Sequence, residues 1–118
     1  MQTDTGFYSI IDYTVDGQET QLALVNAFTQ IQEEWVRSYP GYRGAQFLVN
    51  TDGTRVFTIV RWASEADYRN FVATSDGAAR MAAIENALAG LSGTAELRMT
   101  EAPTYTLAWE VTANSQHA

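Results

Sequence analysis

Four side chains of this sequence could act on a small aromatic molecule: Thr58, Trp62, Tyr68 and Arg80. Arg55–Trp62 alternates, with Val56, Thr58, Val60 and Trp62 on one face of a strand and Phe57, Ile59 and Arg61 on the other. Trp62 brings an indole N–H donor to the strand end, and Tyr68 a phenol able to hydrogen-bond or give up a proton. Thr58 adds a hydroxyl on the Trp62 face. The guanidinium fork of Arg80, on an alanine-rich helix, could stabilise an anionic intermediate. Each has a plainer reading: an interface or core indole, a tyrosine at a core edge, a β-forming threonine, a solvated arginine. Asp12 reads as a strand-edge or opening position rather than a buried acid. Arg43 and Arg61 read as cross-strand or rim charges.

The residues that are missing narrow the chemistry further. There is no cysteine, so disulfides, thiolate nucleophiles and cysteine-based metal sites are excluded. The one histidine, His117, lies in the polar tail NSQHA, where termini fray. No nucleophile–base pair, glycine-rich phosphate loop or metal box is present, so no metal site is expected. The net charge is −7, with no lysine and seven arginines, which argues against nucleic acid because phosphate contacts dominate that affinity. No basic, then apolar leader opens the sequence, and no apolar run reaches membrane-spanning length. The expectation is a soluble cytoplasmic protein with no membrane partner. As an enzyme, it would suit acidic, pre-activated substrates that react directly with dioxygen or cyclise spontaneously.

The elements that must position these groups follow from periodicity. Phe7–Val15 reads as a strand closed by Asp16-Gly17. From Glu19 to Ser38 the period becomes helical, with Leu22, Val25, Phe28, Ile31 and Trp35 on the apolar face, until Tyr39-Pro40-Gly41 stops it. Tyr42–Asn50 reads as a strand joined to Arg55–Trp62 through Asp52-Gly53, a type I′ hairpin signal. Ser64 caps a helix to Thr74 in a variant capping box with Asp67, and Asp76 caps another through Ala89. Thr94–Glu101 reads as a fourth strand, and Tyr105–Val111 follows after Pro103. This is the α+β, ferredoxin-like βαββαβ order with an extra C-terminal strand, one domain over residues 1–118. Its core spans about 7–101, its last strand 104–111, and 112–118 form a flexible tail. Such a sheet leaves one face uncovered. Large apolar residues there predict a symmetric homodimer, a dimeric α+β barrel whose C-terminal strand extends the partner's sheet at the interface.

The segment YPGYRGAQFLVNTDGTRVFTIVRWASEADYRNF, with its Pro-Gly-Tyr turn, TDGT hairpin and W-x-S-E-x-x-Y spacing, resembles the antibiotic biosynthesis monooxygenase family. The similarity runs from about Phe7 to Met99 and is nearest to the small cofactor-free anthrone oxygenases of aromatic polyketide pathways. The resemblance implies a homodimer with one pocket per subunit and a small aromatic, polyketide-like substrate. Dioxygen would be the co-substrate, with no flavin, haem or metal. An anthrone is deprotonated, its carbanion reduces O₂, and the resulting hydroperoxide collapses to a quinone and water. The family tryptophan, tyrosine and arginine correspond to Trp62, Tyr68 and Arg80, the implied catalytic set. Thr58, Phe47 and Leu48 become the implied substrate-binding residues. Thr58 stands where the family carries an asparagine, and Leu48 near the histidine of some members.

Three other readings stay open from the sequence. One is a non-catalytic dimeric α+β barrel that binds a small aromatic. Another is a polyketide cyclase on the same scaffold. The third is flavin- or haem-dependent chemistry.

Overall fold

The computed structural model describes residues 6–97 and 104–113. Strand β1 (Phe7–Val15) leads into helix α1 (Gln18–Ile31), whose last turn widens into a π-helical segment, Gln32–Val36. Strands β2 (Tyr42–Val49) and β3 (Arg55–Trp62) follow, then helices α2 (Glu65–Thr74) and α3 (Gly77–Ala89), and short strands β4 (Ala95–Leu97) and β5 (Thr104–Thr106). The sheet is antiparallel in the order β2-β3-β1-β4, with β5 also on β1. This is the expected α+β, ferredoxin-like arrangement.

The helices cover one sheet face, because alternate residues of β1 and β3 are apolar on that side. Phe7, Val36, Val60, Trp62 and Phe71 form one buried cluster, and Tyr13, Val15, Leu24, Phe28 and Val56 a second. The helical face is rotated from the expected one: Leu22 is 54% exposed, while Thr20, Gln21 and Leu24 are buried. Gln21 causes the rotation. Its side-chain N–H groups donate to the Asn50 backbone oxygen at 3.1 Å, Asn50 Oδ1 at 3.2 Å and the Arg55 backbone oxygen at 3.0 Å. A glutamine is thus drawn inward to satisfy backbone carbonyls of the β2–β3 hairpin.

That hairpin also differs from expectation. Only Gly53 (φ +76°) has positive φ in the connection, so a type I′ turn, which needs two such residues, is absent. Five residues, Asn50 to Thr54, make the loop instead. Gly53 N–H donates to the Asn50 carbonyl at 3.2 Å, and Asn50 Oδ1 accepts from the backbone N–H groups of Thr54 at 3.0 Å and Arg55 at 2.9 Å. The asparagine side chain, not a two-residue turn, organises the loop.

Helix α2 starts as predicted, with Ser64 Oγ accepting from the Asp67 N–H at 3.1 Å, and Asp76 Oδ1 accepts from Ala79 N–H at 3.0 Å to cap α3. Gly41 (φ +85°) lies so close to Asp67 that a Cβ there would collide with the carboxylate. Its carbonyl accepts from the Ala63 N–H at 2.7 Å, tying the entry of β2 to the turn after Trp62.

On the opposite face Asp12 is buried, contrary to its reading as an edge or opening position. β1 is an inner strand, and Arg55, diagonal to Asp12 across the β1–β3 pair, donates to both carboxylate oxygens. Asp12 raises the Arg55 pKa through that hydrogen bond and its charge. The C-terminal region is a second correction. The strand is Thr104–Thr106 rather than Tyr105–Val111, and it pairs with Phe7–Ser9 of its own chain. Residues 107–113 have no regular structure, and Trp109 and Val111 are largely exposed. The fourth strand is seen from Ala95 to Leu97 and does not include Thr94; residues 98–101 of the expected Thr94–Glu101, like residues 114–118 with His117, lie outside the described residues.

Candidate active site

Trp62 ends β3 on the helix-facing side and is 1% exposed. Aromatic rings hold it on several sides. Tyr42 meets the indole edge-on at 5.6 Å between centroids, Phe71 lies tilted at 5.2 Å, and Tyr68 stands at 6.1 Å. Tyr68 in turn packs on Phe7 at 5.3 Å. Tilted and edge-to-face pairs of this kind add to the burial energy and fix the ring planes.

Beside this cluster, between the sheet and the helices, is a cavity of about 220 Å³. Its sheet wall is Ser9, Ile11, Val60 and Trp62; its helical walls are Ile31, Gln32, Val36, Tyr68, Phe71, Arg80, Met81 and Ile84. The volume lies below the roughly 300–1,000 Å³ of drug-sized sites, which suits a compact planar guest. Larger hollows of about 330 and 450 Å³ lie elsewhere, beside Leu48 and Phe57 and beside Asp16 and Glu96. Neither has an indole or phenol in its wall.

Arg80 is the one charged side chain among the described residues lining the cavity. It is held twice. Its guanidinium carbon lies 4.5 Å from the centroid of the Phe71 ring, and one terminal nitrogen donates to Ser75 Oγ at 2.6 Å. No carboxylate or imidazole of the described residues lines the cavity with it. The site can therefore stabilise an anion and enclose an aromatic ring, but supplies no side chain to serve as a strong base at neutral pH.

The expected site residues divide three ways. Trp62, Tyr68 and Arg80 meet at this cavity. Thr58 shares the Trp62 face and pairs with Ile11 and Phe47, but it lies one step along the strand from the lining residue Val60. Its buried hydroxyl has no hydrogen-bond partner. Phe47 packs against the second core cluster, away from the indole. Leu48 is on the opposite sheet face, 52% exposed, because adjacent strand residues cannot face the same side. Phe47 and Leu48 therefore do not form a shared substrate wall.

The sequence reasoning missed Ser9 and Gln32. Ser9 is a polar residue in the otherwise apolar inward series Phe7, Ile11, Tyr13, Val15, and Gln32 is four residues beyond Phe28 on the buried side of the helix. Each broke an apolar stripe, a signal that was legible. Among the described residues no three His, Cys, Asp or Glu side chains gather as a metal site, and no helix is long and apolar enough to cross a membrane.

Comparison with known proteins identifies several relatives. The chain is 29% identical to a monooxygenase from the gene ActVA-Orf6 of Streptomyces coelicolor, solved in complex with nanaomycin D; the superposition covers 94% of this chain and 95% of that one at a TM-score of 0.71. SnoaB, a cofactor-independent oxygenase from Streptomyces nogalater, has the same fold, with a TM-score of 0.63, 16% identity and coverage of 92% and 99%. Over 51 residues, 43% of this chain, the sequence is 37% identical to tetracenomycin-F1 monooxygenase of Streptomyces glaucescens, and the match spans 46% of that relative. Residues 7–83 match antibiotic biosynthesis monooxygenase. A match over more than half the sequence, on a fold shared from end to end, means that the chain belongs to the antibiotic biosynthesis monooxygenase family.

Proposed function

We propose that this protein is a cofactor-independent monooxygenase that oxidises a polycyclic phenolic, anthrone-type substrate to a quinone with O₂, in polyketide antibiotic biosynthesis. The observation that carries the reading is the composition of the cavity wall: tilted and edge-to-face aromatic rings, one fixed guanidinium and, among the described residues, no carboxylate or imidazole. A substrate bound there must be acidic enough to lose its own proton, and Arg80 favours the resulting enolate. The carbanion passes an electron to O₂, the radical pair combines into a hydroperoxide, and loss of water leaves the quinone. One oxygen atom of O₂ enters the product and the other leaves as water, so no external reductant is consumed. Trp62 and Tyr68 orient the ring system and exclude water; Tyr68 has a phenol to protonate the departing oxygen. Thr58, whose hydroxyl lacks a partner, would take a polar substituent only if the cavity extended past Ile11 and Val60.

We further propose that the working form is a homodimer in the cytoplasm. The sheet face opposite the helices carries Leu48, Phe57 and Ile59, and the stretch after β5 exposes Trp109 and Val111. A second copy would bury that apolar surface.

The test is to mix protein and 1,8-dihydroxyanthrone without oxygen, then admit air. Quinone should form at least tenfold faster than without protein. Oxidation at the spontaneous rate would defeat the reading.

A further inference from the structure

The π-helical turn at the end of α1 points to another substrate contact. Such turns contain one extra residue, are costly and occur often at functional sites. Here Arg37 N–H donates to the Gln32 carbonyl at 2.9 Å, five residues back. The widened turn brings both Gln32 and Val36 to the cavity wall.

The Gln32 side chain is fixed from outside the cavity. Tyr42 OH donates to Gln32 Oε1 at 3.0 Å, while the Tyr42 ring is pinned edge-on against Trp62. Burial pushes the Tyr42 pKa up, partly countered by the charge of Arg37, so the phenol keeps its hydrogen and acts as a donor. With the amide oxygen engaged, Gln32 has two N–H hydrogens left to offer. The cavity then holds a cationic donor on α3 and a neutral donor at the end of α1. Such a pair fits an aromatic substrate with one oxygen ionised and a second oxygen neutral.

We infer that Gln32 is a substrate-contact residue whose Nε2 donates to an oxygen substituent of the aromatic substrate, and that Tyr42 is its positioning residue. This rests on the oxygenase reading above and adds the recognition of a second oxygen. A neutral hydrogen bond contributes roughly fivefold to tenfold in affinity.

The test compares wild type with Gln32→Leu, Gln32→Glu and Tyr42→Phe by KM for 1,8-dihydroxyanthrone and by tryptophan quenching with the unreactive 1,8-dihydroxyanthraquinone. Gln32→Leu should raise KM and Kd roughly fivefold to tenfold. Gln32→Glu retains an acceptor for Tyr42 but offers no hydrogen and repels an enolate, so it should do at least as much harm. Tyr42→Phe should have a smaller effect in the same direction, with kcat little changed. Gln32→Glu behaving as wild type would overturn the inference, since the residue would then serve only to hold Tyr42; so would two unaffected Gln32 variants. A wild type that binds the anthraquinone with this ranking but does not turn over the anthrone would retain the contact and refute the oxygenase reading. A wild type that binds neither compound would remove both.

Discussion

The Arg80 guanidinium lies over the face of Phe71, 4.5 Å from the ring centroid, with its edge committed to Ser75 Oγ. Phe71 also packs at 5.2 Å against Trp62. The one charge at the cavity is therefore held by the aromatic cluster that shapes it. A cation positioned before the substrate arrives need not reorganise as negative charge develops.

Arg80→Met should accordingly lower kcat/KM for 1,8-dihydroxyanthrone by about 100-fold, the scale of losing one preorganised anion donor. Arg80→Lys should recover only part of it, because an ammonium lacks the planar fork that both stacks and bonds. Steady-state oxygen uptake measures both. Equal activity of the three proteins would show that Arg80 does not meet the developing charge.

Gln21 separates stability from chemistry. Gln21→Leu removes one donor each from the Asn50 and Arg55 carbonyls, which keep the Gly53 and Asn50 backbone N–H groups, at a cost of about 1 kcal/mol. Urea unfolding should show that loss, while kcat of the folded variant stays within about twofold of wild type, since Gln21 is not among the residues lining the cavity. An unchanged midpoint would mean that the hairpin is anchored by other contacts.

Alkaline stability should report on buried phenols. Burial raises the pKa of Tyr13 and of Tyr42 above 10.0 in the folded protein. The folded state therefore holds these protons more tightly than the unfolded chain. Their contribution is complete below the unfolded value of about 10 and is lost as pH rises through the folded values. Tyr42→Phe should make the decline above about pH 10 shallower in chemical denaturation. A decline as steep as that of wild type would show that Tyr42 has no part in it.

The fold was legible where signals are local. The β3 alternation and the Ser64 and Asp76 caps lie within a few residues of sequence, and the structure contains each of them. The errors came from interactions between distant segments. Leu22 lost its inward position because Gln21 reaches hairpin carbonyls about thirty residues away. The hairpin is governed by the Asn50 side chain, which the Asp-Gly signal does not encode. Asp12 could enter the sheet because Arg55 comes to it from another strand.

The candidate site follows the same division. Trp62, Tyr68 and Arg80 come together because strand end, capped helix and following helix are consecutive in the chain. Leu48 was assigned by likeness of position, although strand alternation alone puts it on the other face from Phe47. Gln32 shows in the sequence as a polar break in an apolar stripe, but its place at the cavity depends on a π turn, whose extra residue leaves no mark in composition or period.

The most direct measurement of the central claim is the fate of dioxygen's atoms. Dialysed, chelator-treated protein should convert 1,8-dihydroxyanthrone under ¹⁸O₂ to a quinone heavier by one ¹⁸O, at a rate proportional to protein and unaffected by the chelator. Product without ¹⁸O, or labelled product formed no faster than in buffer alone, would contradict a cofactor-free monooxygenase.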